Sequence, residues 1–275
     1  MPIPRMILDL VNLRGVRAAP IWVFEQRFRL WKMTHPGGSF AQFYVFDAER
    51  KLRNGRHHST LGARGWATSG SCAVDWDSSS FSARGLVNWR QIVALGLKPD
   101  MRCVDFGCGS LRLGQHAIRY LERSNYWGVD LTDSFIRSGI ALLEPGLIDL
   151  KQPRLGVISD ALLAEIRDWA PGFIFANAVV QHVPLDELPR FFRTVAAMMA
   201  PSTRAFVLFV ADDRVRRIKS ASWAYPPQLL EAAVKAALPG ASVRTIDGED
   251  SYERITGGNR KILCIDAGQQ AAPEP

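Results

Sequence analysis

The feature that most limits how this chain can fold is the run Arg102–Gly114, R-C-V-D-F-G-C-G-S-L-R-L-G. Cys103–Phe106 reads as a short buried strand holding one acid, Asp105. Gly107 and Gly109 then turn the chain into a helical pattern that carries Leu111, Leu113, Ala117, Ile118 and Leu121. A buried strand that passes through glycines into a helix is the loop where nucleotide-like ligands bind. A side chain at the glycines would hold the backbone off such a ligand. A dinucleotide-binding G-x-G-x-x-G would need glycine at position 112, which is Arg112, and no phosphate-cradling G-x-x-x-x-G-K-[ST] is present. The pattern D-x-G-x-G remains.

A second acid stands about twenty residues further on, at the end of Tyr126-Trp127-Gly128-Val129-Asp130. In a parallel sheet that strand end lies beside the first loop, so Asp130 can accept hydrogen bonds from both hydroxyls of a ribose. Either acid alone is weak evidence; the pair on consecutive strand ends is specific. The alternation then continues with a helix from Asp133 to Leu143, where Thr132 is a candidate cap, a strand over Leu155–Ser159 and a helix over Ala161–Trp169. Next come a strand over Phe173–Ala176, a helix from Leu185 to Ala200 and a strand over Thr203–Val210. A helix from Tyr225-Pro226 to Leu238 and two late strands, 242–246 and 260–265, close the series. This is the pattern of a doubly wound, mainly parallel α/β sheet with ligand sites at the strand carboxyl ends.

Charge divides the chain. The net charge is +7, yet residues 1–98 alone carry 14 Lys+Arg against 6 Asp+Glu, and the rest is close to neutral. The basic excess fits a solvated helical face, an anionic acceptor, an anionic membrane surface or nucleic acid. Residues 20–33 place Ile21, Phe24, Phe28 and Trp31 on one helical face. A second run from Ser39 to Arg56 carries Phe40, Phe43, Tyr44 and Phe46 before a basic end. Packing of those aromatics on the following domain is favoured over a membrane surface. Gly62 to Ser82, rich in Gly, Ser and Ala, reads as a loop or lid, and Ser82–Leu95 as a helix leading into the first core strand. The expected organisation is a helical extension or lid over 1–98, a cofactor-binding domain over 99–266 and a disordered tail over 267–275.

No apolar run of eighteen residues exists, and the amino-terminal stretch lacks a small-residue cleavage site. Cys72, Cys103, Cys108 and Cys264 form no C-x-x-C pair, which suits reduced thiols in a cytoplasmic protein. His57-His58 has no carboxylate or cysteine at ligand spacing, so no metal site is expected.

D-F-G-C-G followed by Asp130 resembles motif I and the ribose acid of class I (Rossmann-like) S-adenosylmethionine-dependent methyltransferases, over roughly residues 80–266. Leu111 departs from the small residue usual there. The resemblance implies an antiparallel last strand, and S-adenosyl-L-methionine as cofactor with S-adenosyl-L-homocysteine as product. It implies cofactor contacts from Asp105, Gly107, Gly109, Leu111, Asp130, Leu131, Asp160, Ala161 and Asn177. Asp160 matches the acid that accepts from the adenine amino group, and equally the N-cap of the next helix. The helix before the first strand commonly caps the methionine end, which makes Arg84, Asn88 and Trp89 substrate-side candidates together with Gln181.

Asn177-Ala178-Val179-Val180-Gln181-His182-Val183-Pro184 resembles the fourth motif of the small-molecule branch. It lacks the N/D-P-P-Y/F of enzymes acting on nucleic-acid bases or glutamine, so nucleic acid is not favoured as partner. A catechol-type metal enzyme would place an acid where Asn177 stands. A sulfonium methyl is already a strong electrophile, so the task is alignment and exclusion of water. For a hydroxyl acceptor, sugar-like or a secondary metabolite, a base adds rate, and His182 is the candidate. The alternative for His182 is ordering its loop. Two further functions compete: non-methyl chemistry on the same fold, such as aminopropyl transfer or cyclisation, and a non-catalytic module docking on membrane or RNA through the basic region.

Overall fold

The computed structural model of the chain describes residues 19–53, 80–248 and 259–268. The Gly62–Ser82 loop up to residue 79, His57-His58, Cys72 and the tail from residue 269 lie outside the described residues.

Two helices come first, α1 (Ala19–Thr34) and α2 (Phe40–Arg53), then α3 (Ser80–Ala94). The core alternates as β1 (Cys103–Phe106), α4 (Gly114–Tyr120), β2 (Tyr126–Asp130), α5 (Asp133–Ile140), α6 (Leu147–Lys151), β3 (Arg154–Val157), α7 (Asp160–Trp169) and β4 (Phe173–Asn177). After two short 3₁₀ turns, Val180–His182 and Leu185–Glu187, come α8 (Leu188–Ala197) and β5 (Arg204–Val210). The chain continues through β6 (Arg216–Lys219), β7 (Ser222–Ala224), α9 (Pro227–Ala237), β8 (Ser242–Asp247) and β9 (Arg260–Asp266).

Seven strands form one sheet in the order β3-β2-β1-β4-β5-β9-β8. All pairs from β3 to β5 are parallel, and β9 runs antiparallel between β5 and β8. The chain winds outward from β1 in one direction and from β4 in the other. Their junction is therefore the switch point where a cleft must open. The alternation of side chains splits the core into two layers. Val104, Phe106, Ala205, Val207 and Phe209 face α7, α8 and α9, through Ile166, Phe192 and Leu230 among others. Cys103, Phe206 and Leu208 face α3, α4 and α5, through Ile92, Ile118 and Ile136. Each fully buried aliphatic or aromatic side chain stabilises the fold by about 1.5–3 kcal/mol.

Several boundaries differ from the sequence reading, each for a local reason. β3 ends at Val157, because Ser159 leaves the sheet to cap α7, its side chain accepting from Leu162 N–H at 3.3 Å. Asp160 is thus the first residue of α7, not its cap. Thr132 does cap α5, accepting from Ser134 N–H at 3.3 Å. The helix expected from Leu185 begins as a 3₁₀ turn and becomes α-helical only at Leu188, followed by Pro189 in its first turn. The β6–β7 hairpin was not anticipated. Among the described residues, no helix is long and apolar enough to cross a membrane.

Candidate functional site

A cavity of about 370 Å³ opens at the switch point, a volume in the range of small-molecule pockets. Its floor consists of the ends of β1, β2 and β4: Asp105 through Ser110, Asp130 with Leu131, and Asn177 through Val179.

The floor is held by backbone bonds and tight turns. Gly107 and Cys108 donate to the Val129 carbonyl at 2.8 and 3.0 Å, which pins the glycine loop to β2. Gly107 has φ +78°, and a Cβ there would stand 2.4 Å from a Val179 methyl of the β4 loop. Both the dihedral and the close approach demand glycine. At Gly85 of α3 a Cβ would meet the Arg112 carbonyl at 2.1 Å, so only glycine brings this helix, with Asn88 one turn on, against the loop. Leu111 (φ 58°) and Ala178 (φ 60°) are left-handed without being glycine. Such residues cost about 1–3 kcal/mol each and persist where the surroundings over-determine them.

The two acids are both buried but have different donors. Asp130 accepts from the N–H groups of Gly109 and Leu131, both at 2.7 Å. Burial pushes its pKa up to about 6 against the pull of those two bonds. Asp105 accepts from the Tyr126 hydroxyl at 2.8 Å. Burial raises it to about 7; the Tyr126 bond opposes this and the Asp130 charge adds to it. Cys108 also lines the cavity, but burial and the two acids hold its thiol protonated, which removes it as a nucleophile. Two buried side-chain oxygens on the wall, Ser110 Oγ and Asn177 Oδ1, have no hydrogen-bond partner. Buried polar atoms without a partner beside a cavity are groups that a polar ligand could satisfy.

The roof comes from far along the chain. α2 contributes Ala41 and Tyr44 to the cavity. Ser39 and Gln42 form a reciprocal cap at its start, with bonds of 2.8 and 3.2 Å. The Glu187 carboxylate accepts from the N–H groups of Phe40 and, at 3.4 Å, Ala41. This charge at a helix N-terminus fastens α2 to the turn before α8. Glu49 accepts from the hydroxyls of Thr132 at 2.9 Å and Ser134 at 3.4 Å, fastening the other end of α2 to the end of β2. α1 packs Phe24, Phe28 and Trp31 against Phe40 and Phe43, and its Arg27 pairs with the buried Asp47 of α2. The β6–β7 hairpin completes the roof, with Trp223 edge-on to Phe40 at 5.2 Å and Arg217 paired with Glu25.

The same hairpin orients His182. Its Nδ1 lies 2.5 Å from the Ala221 carbonyl, which can only accept, so Nδ1 carries the proton. Nε2 is then the acceptor, and Gln181 Nε2 lies 3.3 Å away as its donor. Burial lowers the His182 pKa, the Ala221 bond opposes this, and the Lys219 charge lowers it further. The imidazole is neutral at pH 7, with its basic nitrogen on a side chain that lines the cavity.

Of the residues singled out from sequence, Asp105, Gly107, Gly109, Asp130, Leu131, Asn177, Asn88 and His182 line one cavity. Leu111 is fully buried beneath the loop. Asp160 and Ala161 are exposed on the first turn of α7 and do not line the cavity, whereas Ile158 does. Trp89 is buried in the core, its ring edge-on to Tyr120 at 5.3 Å. Asn88 accepts from the Arg260 guanidinium at 2.9 Å. Gln181 reaches the site only through His182, and the Arg84 side chain lies outside the described residues. Tyr44, Ser110, Glu187 and Arg190 were missed. Only Ser110, next to the glycines, carried a local signal. Among the described residues, no cluster of three or more His, Cys, Asp or Glu side chains could hold a metal ion.

Solved structures share this fold. Magnesium protoporphyrin IX methyltransferase (ChlM) from Synechocystis PCC 6803, with bound SAM, matches with a TM-score of 0.51 at 17% identity, over 75% of this chain and 91% of that one. The chain has the class I methyltransferase fold. The same enzyme with bound SAH matches with a TM-score of 0.50 at 16% identity, over 75% of this chain and 94% of that one. The [4+2]-cyclase SpnF also matches, with a TM-score of 0.50 at 13% identity, over 73% of this chain and 86% of that one. No family model and no curated protein sequence matches. The class I methyltransferase fold thus hosts more than one reaction, and the chemistry has to be argued from the site.

Proposed function

We propose that this chain is an S-adenosylmethionine-dependent methyltransferase that moves a methyl group to a hydroxyl of a small molecule. The observation that carries the reading is the meeting, in one cavity, of a ribose-type acid at the end of β2 and a histidine held as a neutral base at the end of β4. The neighbours crystallised with SAM and SAH support the choice of cofactor.

The residues present fit that cofactor. Asp130 keeps lone pairs for two ribose hydroxyls beside its bonds to Gly109 and Leu131. Leu131 and Ile158 offer apolar surface for an adenine ring. Ser110 Oγ and Asn177 Oδ1 wait for partners at the methionine end, and the bare Gly107 backbone lets that end approach. Asp160 stands outside this set, at the adenine end only by its place in the sequence. When bound, the cofactor supplies an electrophilic methyl. The chain's own residues align the acceptor, exclude water beneath α2, and remove one proton. His182 Nε2 takes that proton from the hydroxyl, with Nδ1–H held on Ala221 so that the developing imidazolium stays oriented. Gln181 occupies Nε2 meanwhile and yields to the acceptor hydroxyl.

The test is calorimetry with S-adenosylmethionine and S-adenosylhomocysteine, followed by a screen of hydroxylated and amine acceptors for S-adenosylhomocysteine release. The expected result is 1:1 binding of both and turnover with hydroxyl acceptors. Absence of binding would remove the reading, and turnover confined to amines would remove the hydroxyl.

A further inference from the structure

The α8 side of the cavity carries an arginine, Arg190, without an ion-pair partner among the described residues. Glu187, Arg190, Phe191 and Thr194 all line it. Their spacing sets them on one face of the turn into α8. Each carboxylate on the cavity wall already has donors from the protein. Asp105 has Tyr126, Asp130 has two backbone N–H groups, and Glu187 has the start of α2. None pairs with Arg190, whose guanidinium has no carboxylate partner among the described residues. Arg190 and the neutral base His182 thus line the same cavity.

We propose that the methyl acceptor is a hydroxyl compound bearing an oxyanion, a carboxylate or a phosphate, which Arg190 binds while the hydroxyl faces His182 Nε2. The inference rests on the methyltransferase reading and extends it to the class of acceptor. A guanidinium suits this task because its planar fork meets two oxygens of a carboxylate or phosphate at once. Arg190 is exposed at the outer part of the wall, so a bound anion keeps some of its water. The contact then fixes orientation as much as it adds affinity. It also sets a direction: the anion stays at the solvent end of the wall formed by α8, and the hydroxyl points inward.

The experiment uses the full chain saturated with S-adenosylhomocysteine and two matched probe pairs, para-hydroxybenzoate against para-hydroxybenzamide and ribose phosphate against ribose. Calorimetry should show at least one anion binding about tenfold or more tightly than its neutral partner. Arg190→Gln should abolish that preference, and Arg190→Lys should keep part of it. S-adenosylhomocysteine affinity should be unchanged in both variants. A preference in the first pair identifies a carboxylate acceptor, and in the second a phosphorylated one. The proposal is overturned if neither anion is preferred, or if the preference survives Arg190→Gln. Failure of the wild-type chain to bind S-adenosylhomocysteine is a separate result, because it removes the methyltransferase reading before any acceptor is added.

Discussion

The floor and the roof of the cavity are built in different ways. The floor consists of three neighbouring strand ends and the loops that follow them, and its acids, 25 residues apart in sequence, stand on adjacent parallel strands. The roof is held by contacts between distant residues: Glu187 to Phe40, Glu49 to Thr132, His182 to Ala221. The floor is fixed by backbone geometry, the roof by individual side chains. On the proposed function, the cofactor relies on the floor, while acceptor choice and proton transfer fall to the part that single substitutions can alter.

That division predicts which measurements should separate. The largest effect belongs to the roof-anchored base. His182→Ala should lower turnover by about 10²–10⁴-fold while leaving S-adenosylhomocysteine affinity in place. Because the folded pKa of His182 is depressed below 6.5, wild-type turnover should hold through neutral pH and fall only when the imidazole gains a proton below its ordinary range. Loss of cofactor affinity in this variant would break the separation.

Asp130→Asn should do the reverse. It leaves one of two backbone N–H groups without an acceptor and weakens the bonds to a ribose, costing about 1.5–3 kcal/mol of S-adenosylhomocysteine binding. Normal affinity in calorimetry would show that Asp130 serves the loop alone. The pH dependence sharpens the point. Asp130 and Asp105 titrate at about 6 and about 7, above their ordinary value of 3.8. Between those limits the folded chain holds protons that the unfolded chain has released, so through these two groups the ligand-free chain loses stability as pH rises from about 4 to 7. A ligand that bonds to the ionised form of Asp130 reverses this. Its thermal stabilisation of the protein should be larger near pH ~8 than near pH ~5.

Gly107→Ala tests whether the floor is as rigid as its contacts suggest. A methyl at φ +78° and 2.4 Å from Val179 should destabilise the fold by about 1–3 kcal/mol in urea melts. Adding Val179→Ala should recover the part due to the clash and leave the part due to the dihedral. The smallest effect is expected at Glu187→Gln, which removes the charge at the start of α2 and should cost about 0.5–2 kcal/mol. Its signature lies in the acceptor KM, with S-adenosylhomocysteine affinity unchanged. Equal losses in both would mean that the two regions are not independent.

The same contrast explains what the sequence disclosed. β1 and β2 were legible residue for residue, because a four- or five-residue apolar run ending in an acid before glycine or a polar turn has few other readings. β3 was read as Leu155–Ser159, one residue late at its start and two at its end, since edge strand Arg154–Val157 is half exposed and lacks that continuous apolar signal. The hairpin of R-R-I-K and S-W-A has neither alternation nor length, so it passed unseen, and with it the carbonyl that fixes the His182 tautomer. Glu187 and Arg190 look like ordinary surface charges on an amphipathic helix; only the folded position of α2 gives them a cavity to face. Asp160 shows the opposite limit. A strand-end acid in the expected place was turned outward when Ser159 took the capping position.

The place of β9 in the sheet bears on how the protein is made. It follows β8 in the chain but lies between β8 and β5. As the chain emerges from the ribosome, β8 has no strand to pair with, and β5 keeps an open row of N–H and C=O groups along one side. Both wait for residues 260–266, which supply seven register pairs to β5 and six to β8. The last strand in the chain is therefore an interior strand of the sheet, paired on both sides. Until it pairs, the nascent chain presents an apolar strand edge, Ala205–Val210, of the kind that pairs with other chains.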